Sequence, residues 1–157
     1  MAILVTRAHP DSETTAGALR ARGFEVVLAP MLRFEPAAFH DDADTQYGAV
    51  IVTSANALRG IESQLKDNPL LKLPLFAVGE HTAAAARAIG FKNVTAAQGD
   101  ATTLRECVLA SVKAKTLKKA SPLLYLAGAD LARDLAGELG QRGFTVVTQT
   151  TLSLIHI

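Results

Sequence analysis

The sequence predicts an α/β fold built on a mostly parallel sheet, and two patterns carry that prediction. Short, uninterrupted apolar runs, typical of strands buried on both faces, alternate along the chain with amphipathic helical stretches. Glycines end several of these helices just before the next strand, as at Gly23 and Gly143. A continuous β-α-β-α order of this kind favours parallel strands joined by right-handed crossovers.

Each element follows from a local pattern. Strands are expected where apolar runs end at Gly, Pro or polar turns, namely at 2–6, 24–28, 48–52, 73–78, 91–96, 123–127 and 144–150, with a further extended segment at 31–35. Helices are expected where capping residues precede amphipathic stretches, namely at 11–22, 55–65, 81–89, 100–113 and 130–142. The polar segment 37–46 indicates the beginning of a separate folding unit.

The stretch Tyr47–Gly60, YGAVIVTSANALRG, is the centre of this pattern. Its apolar run 48–52 predicts a core strand, and Thr53 or Ser54 is placed to cap the helix that follows. The first turn of such a helix has free backbone N–H groups and the positive end of the helix dipole. Because ligands bind at the carboxyl ends of the strands in open α/β sheets, we expect a site at this turn and its equivalents.

Composition and charge exclude several classes of function. The net charge is +1, from 16 basic and 15 acidic residues, so the chain does not have the excess positive charge typical of nucleic-acid-binding proteins. No stretch is long and apolar enough to span a bilayer. Cys107 is the one cysteine, so no intramolecular disulfide can form, which fits a reducing compartment. We therefore expect a cytoplasmic protein.

Familiar catalytic signatures are absent from the sequence. It contains no P-loop, no G-x-G-x-x-G, no G-x-S-x-G, no H-E-x-x-H and no Cys/His cluster with metal-ligand spacing. His81 follows a predicted strand but is interpreted as a surface or capping residue. Cys107 lies in an amphipathic stretch and is interpreted as a helix-packing residue.

Three predicted turns share one design: Thr53–Asn56, Val78–Thr82 and Ala127–Asp130 each join a buried strand to a helix through small residues or glycine. Small residues let a ligand approach the backbone, and helix N-termini bind carboxylates or phosphates. One turn alone is equally compatible with an ordinary strand-to-helix connection, but the three together favour an anion-binding site. Arg7, after the first strand, either faces the same cleft or covers its own helix.

The sequence resembles the uroporphyrinogen-III synthase family. The resemblance rests on the order and spacing of five segments: Val5–Arg7, Val52–Ala57, Ala77–Ala83, Gly99–Leu104 and Leu126–Leu135. It implies a parallel-sheet, flavodoxin-like domain inserted into a second, here incomplete, α/β domain through a two-stranded linker. The implied parts are the start of the first domain at 1–30, linker strands at 31–36 and 146–151, the inserted domain at 37–145, and a non-native tail at 152–157.

The resemblance also implies a reaction. The family cyclises the linear tetrapyrrole hydroxymethylbilane to uroporphyrinogen III, with inversion of ring D and loss of water, and uses neither a metal nor an organic cofactor. The residues implied to bind substrate are Thr6, Arg7, Thr53, Ser54, Asn56, Gly79, Thr82 and Gly128. The family's tyrosine near the cleft has no counterpart, because its place falls on Leu152. We expect this chain to be a C-terminally truncated, inactive monomer.

A second hypothesis is a non-enzymatic, flavodoxin-like anion-binding or receiver-type module. A receiver needs paired acidic residues after its first strand and an aspartate after a later strand. Thr6–Arg7 and Thr53–Ser54 occupy those places, which argues against the receiver.

Overall fold

The computed structural model describes residues 1–37, 39–40, 44–128 and 133–156, and it has the predicted α/β architecture. Along the chain the strands are β1 (Ala2–Val5), β2 (Glu25–Leu28), β3 (Leu32–Pro36), β4 (Ala49–Val52), β5 (Leu75–Val78), β6 (Val94–Ala97), β7 (Leu123–Gly128) and β8 (Val146–His156). The helices are α1 (Asp11–Ala21), α2 (Ala55–Arg59), α3 (Glu62–Leu65), α4 (Gly79–Ile89), α5 (Ala101–Lys113) and α6 (Leu135–Gln141), with a 3₁₀ turn at Pro69–Lys72.

The chain divides into two compact units. Unit 1 comprises Met1–Glu35 and Ser153–Ile157, and unit 2 comprises Pro36–Leu152. In unit 1, β1 and β2 pair in parallel, and α1 packs against the pair. Leu4 and Val27 are register partners and are 60% and 48% exposed. Parallel strands are usually covered on both faces, so the described residues leave an unusually apolar surface on this strand pair.

Unit 2 is a three-layer sandwich. Its strands lie in the order β8-β7-β4-β5-β6, and every pairing described among them is parallel. One face of the sheet packs against α2, α3 and α4 through Leu58, Ile61 and Ala83, and the other packs against α5 and α6 through Leu104 and Leu139. Helices thus cover both faces, as the uninterrupted apolar strands predict.

β4 is the centre of this sandwich, and all four of its residues are buried. Val50 and Val52 belong to the core under α2 and α4, whereas Ala49 and Ile51 belong to the core under α5 and α6. This alternation is the geometry of a strand whose successive side chains point to opposite faces. The prediction of a strand buried on both faces at 48–52 is confirmed.

The predicted helix at 55–65 is wrong as one continuous element, since it consists of α2 and α3. A Cβ atom added to Gly60, where α2 ends, would lie 2.5 Å from the carbonyl oxygen of Thr151. The backbone of β8 therefore packs directly on the helix at this glycine, which is a contact that no local pattern reveals. The last strand is also longer than predicted, because β8 continues to His156.

Thr151 anchors β8 to α2. The side chain is fully buried, and its hydroxyl donates a hydrogen bond to the Ala57 carbonyl oxygen at 2.7 Å. The N–H of Ile61 donates to Leu58 rather than to Ala57, so the Thr151 hydroxyl contacts a carbonyl at the point where the helix breaks. In the same region, the carbonyl of Thr151 accepts a hydrogen bond from the N–H of Ala37 at 2.9 Å.

We predict that Thr151→Val lowers the free energy of unfolding by about 1–3 kcal/mol, because valine keeps the shape but leaves a buried carbonyl without its hydroxyl donor. Urea denaturation monitored by circular dichroism measures the change. Thr150→Val is the matched control, since Thr150 is exposed on the same strand. Equal stability of the two variants would contradict the prediction.

Candidate functional site

Parallel pairing brings several strand ends of unit 2 to one edge of its sheet. Val52 of β4 pairs with Ala77 of β5 on one side and with Leu126 of β7 on the other. The residues that follow these strands therefore form a row, which we call the carboxyl edge and define by Thr53, Ser54, Gly79 and Gly128. In open α/β sheets this is the edge where ligands bind.

The strand order singles out one position along this edge. The chain proceeds outward from β4 to β5 and β6, and then crosses to the other side of β4 to form β7 and β8. The helices change face at the same point, because α4 packs on one side of the sheet and α5 on the other. The topological switch point, where a crevice opens, thus lies between β4 and β7.

In the turn after β4, Ser54 caps the N-terminus of α2, as the sequence predicts. Ser54 is extended, with φ −143° and ψ 135°, and its hydroxyl accepts a hydrogen bond from the N–H of Asn56 at 3.3 Å. The Ser54 side chain is exposed, whereas the amide oxygen of Asn56 accepts a hydrogen bond from Arg59 one turn later. Ser54 is therefore the more accessible of these two predicted site residues.

Thr53 has a partner that the sequence analysis missed. Its hydroxyl lies 3.1 Å from the phenol oxygen of Tyr125 on β7. Tyr125 pairs with Ile51, and Thr53 lies two residues beyond Ile51, so the two side chains share one face of the sheet. Strand alternation would have indicated this contact if the β4–β7 register had been known. The hydrogen bond joins the two strands that flank the switch point.

The turn after β5 has a different construction. α4 begins at Gly79, which adopts φ +76°, and the preceding residue Val78 provides no side-chain cap. A positive φ favours glycine, which accounts for this residue at the turn. The first N–H groups of α4 therefore have no capping side chain at this edge. Thr82, also predicted as a site residue, is 5% exposed and lies on the buried side of α4.

The end of β7 lies beside the strand that carries Leu152. Gly128 is the register partner of Leu152, and the pairing shifts between Ala127 and Gly128. Leu152 is 7% exposed, so it is a buried apolar side chain at this edge. The remainder of the predicted turn at Ala127–Asp130 lies outside the described residues.

The predicted site residues of unit 1 have partners within that unit. The Arg7 guanidinium donates to the Thr15 hydroxyl at 2.9 Å and lies 3.5 Å from the Asp11 carboxylate. The sequence leaves two alternatives for Arg7, facing the cleft or covering its own helix. In the structure its side chain covers α1. Thr6 is exposed, and its carbonyl accepts a hydrogen bond from the N–H of Met31 at 3.1 Å.

A charged network joins α5 to α6 and was also missed by the sequence analysis. Glu138 binds Arg133 through two hydrogen bonds, of 2.5 and 2.8 Å, and binds Arg105 at 3.0 Å. Arg133 also donates to the Thr102 hydroxyl at 2.6 Å. The hydrogen bonds from Arg133, supported by the one from Arg105, lower the pKa of Glu138 from 4.5 to about 2. The network thus holds an ionised carboxylate between two helices.

Over the part of the chain that the structure describes, no group of His, Cys, Asp and Glu side chains is arranged to hold a metal ion. Within the same ranges, no helix is long and apolar enough to cross a membrane.

Comparison with known proteins identifies relatives of this chain. The family model described as uroporphyrinogen-III synthase HemD matches residues 13–151. Uroporphyrinogen-III synthetase from Helicobacter pylori 26695 is 18% identical with a TM-score of 0.64, over 99% of this chain and 62% of that chain. A mutant uroporphyrinogen III synthase from the extremely thermophilic bacterium Thermus thermophilus is 15% identical with a TM-score of 0.67, over 100% of this chain and 64% of that chain.

The wild-type enzyme from Thermus thermophilus is 16% identical, with a TM-score of 0.58 over 100% of this chain and 63% of that chain. Comparison with curated proteins gave no significant match. At these identities the structural likeness confirms the α/β fold, and the chain spans 62 to 64% of the length of these three neighbours.

The charged network predicts a specific loss of stability in acid. Because the pKa of Glu138 is lower in the folded chain than its ordinary value of 4.5, its ionised form stabilises the fold above that pH. This stabilisation is lost as the pH falls from about 4.5 to about 2. In Glu138→Gln, the free energy of unfolding should therefore fall less steeply over this window than in the wild type.

Denaturant titrations at a series of pH values measure these slopes. Glu62→Gln is the control, because Glu62 is an exposed carboxylate on α3, and it should keep the wild-type slope. An unchanged slope in Glu138→Gln would show that the network does not act on the folded state as described.

Proposed function

Because the chain belongs to the HemD family of uroporphyrinogen-III synthases, we propose that it forms part of an enzyme that cyclises hydroxymethylbilane to uroporphyrinogen III. The reaction inverts ring D and releases water. The family match over residues 13–151 is the observation that carries this proposal. No specific observation favours the alternative of a non-enzymatic anion-binding or receiver-type module.

The carboxyl edge suits a substrate of this chemistry. A linear tetrapyrrole carries many carboxylates, and backbone N–H groups at helix ends bind carboxylates without large positive charge. The start of α4 at Gly79 supplies such groups, because no side chain caps it. The exposed Ser54 hydroxyl lies in the same row, and so does Gly128, whose small size lets a ligand approach the backbone. We assign Thr53 and Asn56 to the same binding turn, with Thr82 supporting the first turn of α4 from its buried side.

Thr6 and Arg7 remain candidates for substrate contact from unit 1. Arg7 would have to exchange its hydrogen bond to Thr15 for a substrate carboxylate. Its guanidinium is suited to such an exchange, because the side chain is 60% exposed and its contact with Asp11 is long, at 3.5 Å.

The proposed reaction requires that the enzyme orient its substrate, more than that it supply acid–base catalysis. Departure of the hydroxyl leaves a resonance-stabilised cation, so the enzyme's task is to hold the folded chain and to direct which carbon attacks. We propose that this proceeds without a metal or an organic cofactor. A monomeric state and a cytoplasmic location belong to the same proposal.

The reaction is tested by product analysis of the gene product that contains this chain. Hydroxymethylbilane, generated by its synthase, should yield the type III isomer in excess over the type I isomer that forms spontaneously. Chromatography of the oxidised porphyrins separates the two isomers. Formation of the type I isomer alone would contradict the proposed activity.

Binding at the carboxyl edge is tested with two variants of Ser54. Aspartate and asparagine both cap helices as well as serine does, so both should leave α2 stable. Ser54→Asp also adds a negative charge beside the proposed carboxylate site, and we expect about tenfold weaker binding of uroporphyrinogen III, which is about 1.4 kcal/mol. Ser54→Asn is the matched neutral control and should bind nearly as the wild type.

Anaerobic isothermal titration of the 157-residue chain measures both affinities, and thermal unfolding checks that the cap is retained. Equal affinities in the two variants would place the ligand away from Ser54.

A further inference from the structure

Tyr125 places a hydroxyl group in an otherwise apolar part of the sheet. The residue is 2% exposed, and its neighbours along β7 are Leu124 and Leu126. Its ring belongs to the core between the sheet and α5 and α6. A buried phenol needs a hydrogen-bond partner, because removing it from water without one destabilises the fold. The partner is the Thr53 hydroxyl, 3.1 Å away.

Either hydroxyl can donate in this bond, and the chemistry of the two groups favours one direction. A phenol is the more acidic of the two and so the better donor, and a threonine hydroxyl has one proton and two acceptor lone pairs. When Tyr125 donates, the single proton of Thr53 is left to point elsewhere. Thr53 is half-buried, so part of its side chain is open to solvent, and it directly follows β4 at the carboxyl edge.

The location of the pair indicates a role for the Tyr125 hydroxyl beyond packing. The bond spans β4 and β7, the two strands on either side of the switch point. Phenylalanine would fill the core equally well at position 125, so packing alone does not account for the hydroxyl. The hydroxyl contacts Thr53, the predicted site residue that directly follows β4.

We propose that Tyr125 is a positioning residue that orients the Thr53 hydroxyl as a hydrogen-bond donor to a carboxylate of the bound tetrapyrrole. The phenol donates to Thr53 Oγ1, and Thr53 donates to the substrate, so the two bonds polarise each other. Tyr125 itself does not touch the ligand. The inference rests on the proposed function, because it takes the carboxyl edge as the tetrapyrrole site.

The direction of the bond is tested without any ligand. The chain contains two tyrosines and no tryptophan, so Tyr47→Phe leaves Tyr125 as the one tyrosine. The Raman Fermi doublet of tyrosine distinguishes a phenol that donates from one that accepts. In Tyr47→Phe the doublet should have the intensity ratio of a donor, and the additional change Thr53→Val should remove that signature. An acceptor ratio, or no effect of Thr53→Val, would overturn the proposal.

The effect on binding is tested by titration with uroporphyrinogen III under anaerobic conditions. Tyr125→Phe, which keeps the ring and deletes the donor, should weaken binding about fivefold. Thr53→Val should weaken it at least as much, and the double variant should bind like Thr53→Val, because the two residues act as one unit. Thr53→Ser, which keeps the hydroxyl, should bind within about twofold of the wild type.

Four outcomes of the titration and of thermal unfolding are decisive. Wild-type affinity in Tyr125→Phe, or additive losses in the double variant, would overturn the role of Tyr125 while leaving the proposed function intact. A lower unfolding temperature of Tyr125→Phe with unchanged affinity of the folded chain would show that the bond serves stability alone, which also overturns the proposal. Absence of binding by the wild-type chain would overturn the carboxyl edge as a tetrapyrrole site, and with it this proposal, whereas product analysis of the gene product would still decide the proposed function.

Discussion

Burial of β4 on both faces is the constraint on which the rest of unit 2 depends. A strand with four buried residues needs helices above and below it and a paired strand on each side. It obtains these from α2 and α4, from α5 and α6, and from β5 and β7. Because the chain leaves β4 first in one direction and then in the other, the switch point lies beside it. The candidate site therefore follows from packing and needs no catalytic motif.

Local signals account for most of what the sequence predicts correctly. The apolar run of β4, the cap at Ser54, and the positive φ angles of Gly23 and Gly143 at helix ends all depend on neighbours within a few residues. Such features depend on propensity and capping, which act along the chain. The α/β class follows from their regular alternation.

The errors and omissions arise from contacts between distant parts of the chain. The break between α2 and α3 depends on the approach of Thr151 to Gly60, and the Thr53–Tyr125 bond depends on the register of β4 with β7. Periodicity predicts which face a side chain occupies, but it does not predict which strand lies alongside. The three candidate turns could therefore be predicted from sequence, whereas the side-chain partners that shape them could not.

The distribution of charge indicates what kind of site this edge provides. Arg105 on α5 and Arg133, just before α6, both bind Glu138, and Arg133 also binds Thr102. These hydrogen bonds engage their donors in joining α5 to α6, whereas the row formed by Thr53, Ser54 and Gly79 presents hydroxyls and the N–H groups at the start of α4. A carboxylate bound there would depend on backbone N–H groups and hydroxyls, whose orientation is set by the fold.

Binding through oriented dipoles has a consequence for specificity. A flexible cation attracts any nearby anion, whereas a fixed N–H or O–H group binds a carboxylate well in one direction only. For a reaction in which the enzyme must hold a flexible chain in one folded arrangement, directional groups are the better choice. The buried bond between Tyr125 and Thr53 fits this logic, because it removes rotational freedom from a hydroxyl at the point where the sheet opens.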